Sequence, residues 1–124
     1  MVKLFKKRRK EILEKFNEAE IVQVTENANF FGVESKGGKQ VRGNGVLTLT
    51  KGELYFEMWV PKKILSVPLN SIKKVTTTRH HLKKVKFVDL LKIEFVNEEG
   101  NDDSVAWWVK EVQEWITKLE GLLK

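Results

Sequence analysis

From Ala28 to Val96 the apolar residues of this chain alternate with polar ones, and turn residues interrupt the alternation every eight to twelve positions. A period of two puts successive side chains on opposite faces of a sheet, so this stretch predicts short strands with one face buried. Expected strands cover 28–34, 40–50, 53–59, 63–68, 71–78 and 90–96, and a last one, with Val105, Trp107 and Val109 on one face, closes the set. The paired glycines of Lys36-Gly37-Gly38-Lys39 suit a tight hairpin, because glycine takes positive φ without a steric penalty. Gly43 and Gly45 fall at alternate positions of the second strand, which predicts a sharp bend or a close neighbour there. Arg79 to Phe87, rich in bases, is expected to connect the fifth and sixth strands.

The period changes at both ends. Val109, Val112, Trp115, Ile116, Leu119, Leu122 and Leu123 recur at helical spacing, which predicts an amphipathic helix from about 110 to 123. Residues 3–19 also read as a helix, with Phe5, Ile12, Leu13, Phe16 and Ala19 near one stripe. The expected organisation is a basic N-terminal helix and linker over 1–26, followed by one domain over 27–124. One late helix after about seven strands is an economical plug for the open end of a curled antiparallel sheet.

Composition narrows the function classes. The chain has 124 residues, enough for one core, and no cysteine, so disulfides, thiolate metal sites and a thiol nucleophile are excluded. Its longest apolar run, Val105 to Val109, is too short to cross a membrane, and no signal-peptide core is present, which makes the cytoplasm the expected location. The net charge of +6 has one source: Lys3, Lys6, Lys7, Arg8, Arg9 and Lys10 stand among the first ten residues without an acid. The remainder holds 17 basic and 17 acidic residues. A nucleic-acid-binding body would carry its own basic surplus, so nucleic acid is not the expected partner. The decapeptide fits either an anchor to anionic lipid, with Leu4 and Phe5 dipping into the interface, or a helix packed on the domain.

Chemistry-bearing residues are sparse. His80 and His81 are adjacent, so on an extended segment their side chains diverge rather than chelate. Glu98 to Asp103 gathers four carboxylates without the ligand spacing of a calcium loop, and neither glycine cluster has the setting of a phosphate loop. No serine has a nucleophile-elbow context. The expectation is a binding module without catalytic residues, metal or cofactor. Tyr55 and Trp59, amphipathic aromatics on one face of a strand, are the candidate partner contacts. A free sheet edge or the N-terminal helix would offer a route to homo-oligomers.

The element order, with Trp115 on the terminal helix, Asn29-Phe30-Phe31-Gly32 and Gln40-Val41-Arg42-Gly43-Asn44-Gly45, resembles the pleckstrin-homology-like superfamily, including its GRAM-type branch and small prokaryotic members, over about residues 28–123. That resemblance implies a partly open β-barrel of about seven antiparallel strands capped by a C-terminal helix and used to bind proteins, peptides or lipid headgroups. It places Lys36, Lys39 and Arg42 near the anion-contacting positions of the first hairpin. Lys39 and Arg42 are an odd number of positions apart, so on a strand they face opposite ways, which favours protein partners over phosphoinositides.

Overall fold

A computed structural model describes residues 7, 10–37, 40, 43–81 and 84–123, with only the backbone considered over 80–88. Seven antiparallel strands form one open sheet: β1 Ile21–Val33, β2 Gly43–Thr50, β3 Glu53–Met58, β4 Ile64–Pro68, β5 Ile72–His81, β6 Lys84–Val96 and β7 Asp102–Trp108. Their order is β4-β3-β2-β1-β7-β6-β5, which makes β4 and β5 the two edges. A terminal helix, α1, spans Val112–Leu123 and packs on β5, β6 and β1.

β1 carries the topology. Its first part pairs with β2 from Ile21 to Phe30, and its last part pairs with β7 from Asn29 to Val33. The pairing with β7 skips a residue between Phe30 and Gly32, and Gly32 has φ 111°, where side chains other than glycine's are strained. The bulge lets two neighbouring phenylalanines both be buried. Phe30 enters the main core, while Phe31 joins Leu90 and Ala106 in a smaller cluster flanked by Trp108.

The main core is centred on three rings from three strands. Phe30 of β1 stacks on Phe56 of β3 at 5.2 Å between centroids, and Trp107 of β7 lies 5.8 Å from Phe56 and 6.3 Å from Phe30. Each such pair contributes about 0.5–1.5 kcal/mol beyond its buried area. Room for Phe56 comes from Gly45. A Cβ there would sit 2.8 Å from Cζ of Phe56, 2.7 Å from Cα of Met58 and 2.4 Å from the Glu57 carbonyl oxygen. The close neighbour expected at Gly43 or Gly45 is thus found at Gly45, since a Cβ at Gly43 would meet nothing nearer than Met58 Sδ at 3.4 Å. From α1, Trp115 and Leu119 are fully buried, and Trp115 Nε1 donates to Thr25 Oγ1 of β1 at 2.7 Å.

Three expectations are corrected. Among the described residues the N-terminal helix, seen at Lys7 and at 10–13, ends at Leu13 instead of running on to 19, and β1 begins at Ile21 rather than Ala28. The last helical turn tightens as Lys15 and Phe16 donate to carbonyls three residues back. Asn17 then caps a 3-10 turn, Glu18–Glu20, through its side chain and Ala19 N–H. Sheet pairing outcompetes helix here, because β2 offers partners for Ile21 to Thr25. The basic connection at 79–87 is instead mostly strand, with β5 running on to His81 and β6 starting at Lys84; His80 faces Val85 across the hairpin. β2 is described from Gly43; Gln40, the expected start, lies in a bend, while 38, 39, 41 and 42 fall outside the described residues.

Gly45→Ala is expected to cost about 3 kcal/mol by forcing β2 away from β3. Gly43→Ala should stay within about 1 kcal/mol of the parent, since its Cβ is accommodated and a strand glycine is entropically costly. Chemical denaturation of the two variants measures the contrast.

Candidate functional site

The curl of the sheet brings the outer edge of β4 opposite the far ends of β1 and β6, leaving an open groove of about 550 Å³. Ile64, Leu65, Ser66 and Pro68 line it from β4. Val33, Phe95 and Val96 line it from β1 and β6, and Ser35, Lys36, Asn97, Glu98 and Glu99 make the rim. Ile64 and Val96, 47% and 36% exposed, are two of the four large apolar side chains that the described surface leaves exposed, and both line the groove.

Asp103 fixes the rim. Its carboxylate accepts from Ser35 N–H at 3.0 Å, the Ser35 hydroxyl at 2.6 Å, Ser104 N–H at 2.9 Å and Asn97 Nδ2 at 3.3 Å. One carboxylate thus ties the 3-10 turn Glu34–Lys36 to the β6–β7 turn. Burial alone would raise its pKa, but the hydrogen bonds from Ser35, Ser104 and Asn97 prevail and hold it below the usual carboxylate value. Asn97 completes the turn by accepting from the N–H groups of Glu99 and Asn101, both at 3.0 Å, and Gly100 takes φ 82°. The acidic turn is thereby a rigid hairpin. Among the described residues no cluster of three or more metal-ligating side chains occurs, and no helix is long and apolar enough to cross a membrane.

The expected contacts scatter. Lys36 reaches the groove rim. Lys39 and Arg42 lie outside the described residues, as do Lys3, Lys6, Arg8 and Arg9, while Lys7 and Lys10 are exposed. Lys63 is held below the usual lysine pKa, by burial first and by the charge of Lys36 second, and its ammonium sits 5.1 Å from the Phe30 ring centroid. Tyr55 and Trp59 do not form a patch at the groove. Trp59 is half-buried, with its backbone N–H donating to the Asn44 carbonyl at 3.1 Å, and Tyr55 is covered by the N-terminal segment.

Of the two fates expected for the N-terminal stripe, packing on the domain is the one taken by its described members Ile12 and Phe16, with Tyr55 as a surface they cover. Phe16 meets the Tyr55 ring edge-on at 5.0 Å, Ile12 is fully buried, and Lys15 Nζ lies 2.6 Å from Glu57 Oε1. The Tyr55 hydroxyl donates to the same oxygen at 2.6 Å. Glu57, fully buried on β3, is thus a charge that needs a cation, and the bond to it raises the Lys15 pKa. Burial first, and then its bond to Glu57, raise that of Tyr55. Its sequence signal was an acid at the centre of a strand whose cross-strand neighbour, Val46, is apolar. The groove had a fainter signal: Pro68 at a strand end marks an edge, and Ile64 alternates out of phase with the core residue Val67.

No family model matches the chain, and no curated protein sequence does. Solved structures are similar in fold. A chain of the 8S snRNP assembly intermediate superposes with a TM-score of 0.67 at 9% identity, over 86% of this chain and 84% of that one. The C-terminal domain of an unknown protein from Leishmania infantum gives 0.60 at 12% identity, over the whole of both chains.

Two outcomes follow. The folded pKa of Asp103 lies below its unfolded value, so its contribution is complete above about pH 5 and fades as pH falls through 3.8 and below. Asp103→Asn should cost about 1–3 kcal/mol at pH 7 and flatten the loss of stability on acidification, measured by urea midpoints from pH 7 to 3. Removing the cation from Glu57 by Lys15→Met should cost about 2 kcal/mol, less than for a fully buried pair because Lys15 is partly solvated. Adding Glu57→Gln should recover most of that loss.

Proposed function

We propose that the chain is a non-enzymatic binding module of pleckstrin-homology-like build, in which the groove beside β4 receives a segment of another protein. One observation carries the reading. An edge strand of the sheet lines a concavity whose lining includes the exposed aliphatic side chains Ile64 and Val96. Such an edge invites pairing, and the apolar walls supply the burial that gives pairing its free energy. The element order and the position of Trp115 support the pleckstrin-homology-like assignment, and the fold likeness to a chain from an assembly intermediate is in keeping with a role in protein assembly.

Attachment to anionic lipid through the N-terminal helix has less support. Ile12 and Phe16, two members of the stripe that would enter a membrane, are turned onto the protein, leaving the six bases of the first ten residues as its remaining argument.

Ile64→Asp combined with Val96→Asp tests the reading, because both sites are exposed and the fold should tolerate the change. Partners captured by the parent chain, and rebinding it when purified, should be lost by this variant while its thermal midpoint stays within a few degrees. Partners retained in full, or co-sedimentation of parent and variant alike with phosphatidylserine vesicles as the sole interaction found, would refute it.

A further inference from the structure

The bonding pattern of β4 defines what its free edge offers. Met58 N–H donates to the Lys63 carbonyl and Leu69 N–H to the Gly52 carbonyl, so pairing with β3 engages the backbone of Lys63, Leu65, Val67 and Leu69. In an antiparallel ladder the intervening residues point their N–H and C=O groups the other way. Those residues are Ile64, Ser66 and Pro68. Proline has no N–H, and its carbonyl already accepts from the Ser71 hydroxyl at 2.7 Å. The edge is therefore reduced to two donors and two acceptors, on Ile64 and Ser66, a frame for a few residues of one added strand. Because Pro68 ends the frame, the edge cannot seed an extended ladder.

The rim adds a charge preference. Glu98 and Glu99 are exposed and have no basic partner among the described residues, whereas the Asp103 carboxylate is saturated by its four donors. Among the described residues lining the groove, Lys36 is the single base, against the carboxylates of Glu98, Glu99 and Asp103.

We infer that the groove takes a short extended peptide segment that pairs with Ile64 and Ser66, seats an aliphatic side chain in the groove that Ile64 and Val96 line, and carries a lysine or arginine two residues away that reaches Glu98 and Glu99. This specifies the partner of the module proposed above and rests on that reading. Side chains two apart on a strand share a face, so one face of the segment meets both the apolar walls and the acidic rim. Apolar burial and backbone pairing supply the attraction, and the rim sets the choice among segments.

The test titrates the isotope-labelled full chain with the acetylated, amidated peptide Thr-Val-Thr-Val-Thr-Lys-Thr-Lys-Thr and follows backbone and methyl NMR signals. Two controls are the same peptide with glutamate for lysine, and the lysine peptide N-methylated at alternate amides. The lysine peptide should shift the Ile64, Ser66 and Val96 signals and bind roughly tenfold more tightly than the glutamate peptide at low salt, with the ratio shrinking as salt rises. N-methylation in the pairing frame should abolish binding. Glu98→Lys with Glu99→Lys should invert the preference without displacing the shifts from the groove. Equal affinity for the lysine and glutamate peptides at the groove would overturn the inference and leave the interaction-module reading standing. Groove binding indifferent to N-methylation would overturn it too. No shift at Ile64 or Ser66 with any of the peptides would refute the inference outright, and the capture experiment with the Ile64 and Val96 variant would then decide the broader reading separately.

Discussion

The stacked contact of Phe30, Phe56 and Trp107, made possible by the missing side chain at Gly45, is what the rest of the molecule is arranged around. The rings come from the paired strands β1 and β7 and from β3, which β2 separates from β1, and the absence of a Cβ at position 45 leaves the room that Phe56 takes. The depth of the curl follows from this packing. With the curl set, β4 is carried round until its outer edge confronts the ends of β1 and β6, and the groove is the space between. A flatter sheet would have the same pairs in register and no groove.

Polar groups then decide which surfaces stay open. On the outer face of β2 and β3, Val46, Thr48 and Glu57 are all fully buried, which a half-solvated sheet would not show. Ile12, Lys15 and Phe16 lie over that face, and the ammonium of Lys15 answers the carboxylate of Glu57. At the groove the logic is reversed. Asp103 is consumed by internal donors, which stiffens the rim, and the neighbouring Glu98 and Glu99 are left to solvent. One face is closed by a charge pair and another kept available.

The strands and the terminal helix were legible because their burial is periodic. Leu47, Leu49, Leu54 and Phe56 alternate as a core face must, and Trp115 with Leu119 stand one helical turn apart. What misled was local sequence whose fate is set by distant partners. Residues 14–19 have no helix breaker, yet the segment leaves the helix after 13 because Glu57, far along the chain, draws Lys15 onto the sheet. Residues 79–87 look like a solvated basic loop, yet most continue the β5–β6 ladder, whose hydrogen bonds are indifferent to side-chain charge. The aromatic positions Tyr55 and Trp59 drew attention as contacts for size and amphipathicity. The groove residues Ile64, Val96, Glu98 and Glu99 are individually ordinary and acquire meaning only through a fold that brings them around one concavity.

Since Ile21–Val33 contributes hydrogen bonds to β2 along one stretch and to β7 along another, the molecule has no internal seam at which it could come apart into two surviving pieces. Losing β1 would orphan the ladders on both its flanks at once and uncover Trp115's acceptor, Thr25, in the same event. A small domain wired this way gains or loses its order as a single cooperative unit, so anything bound at the β4 edge reports on, and reinforces, the whole of it.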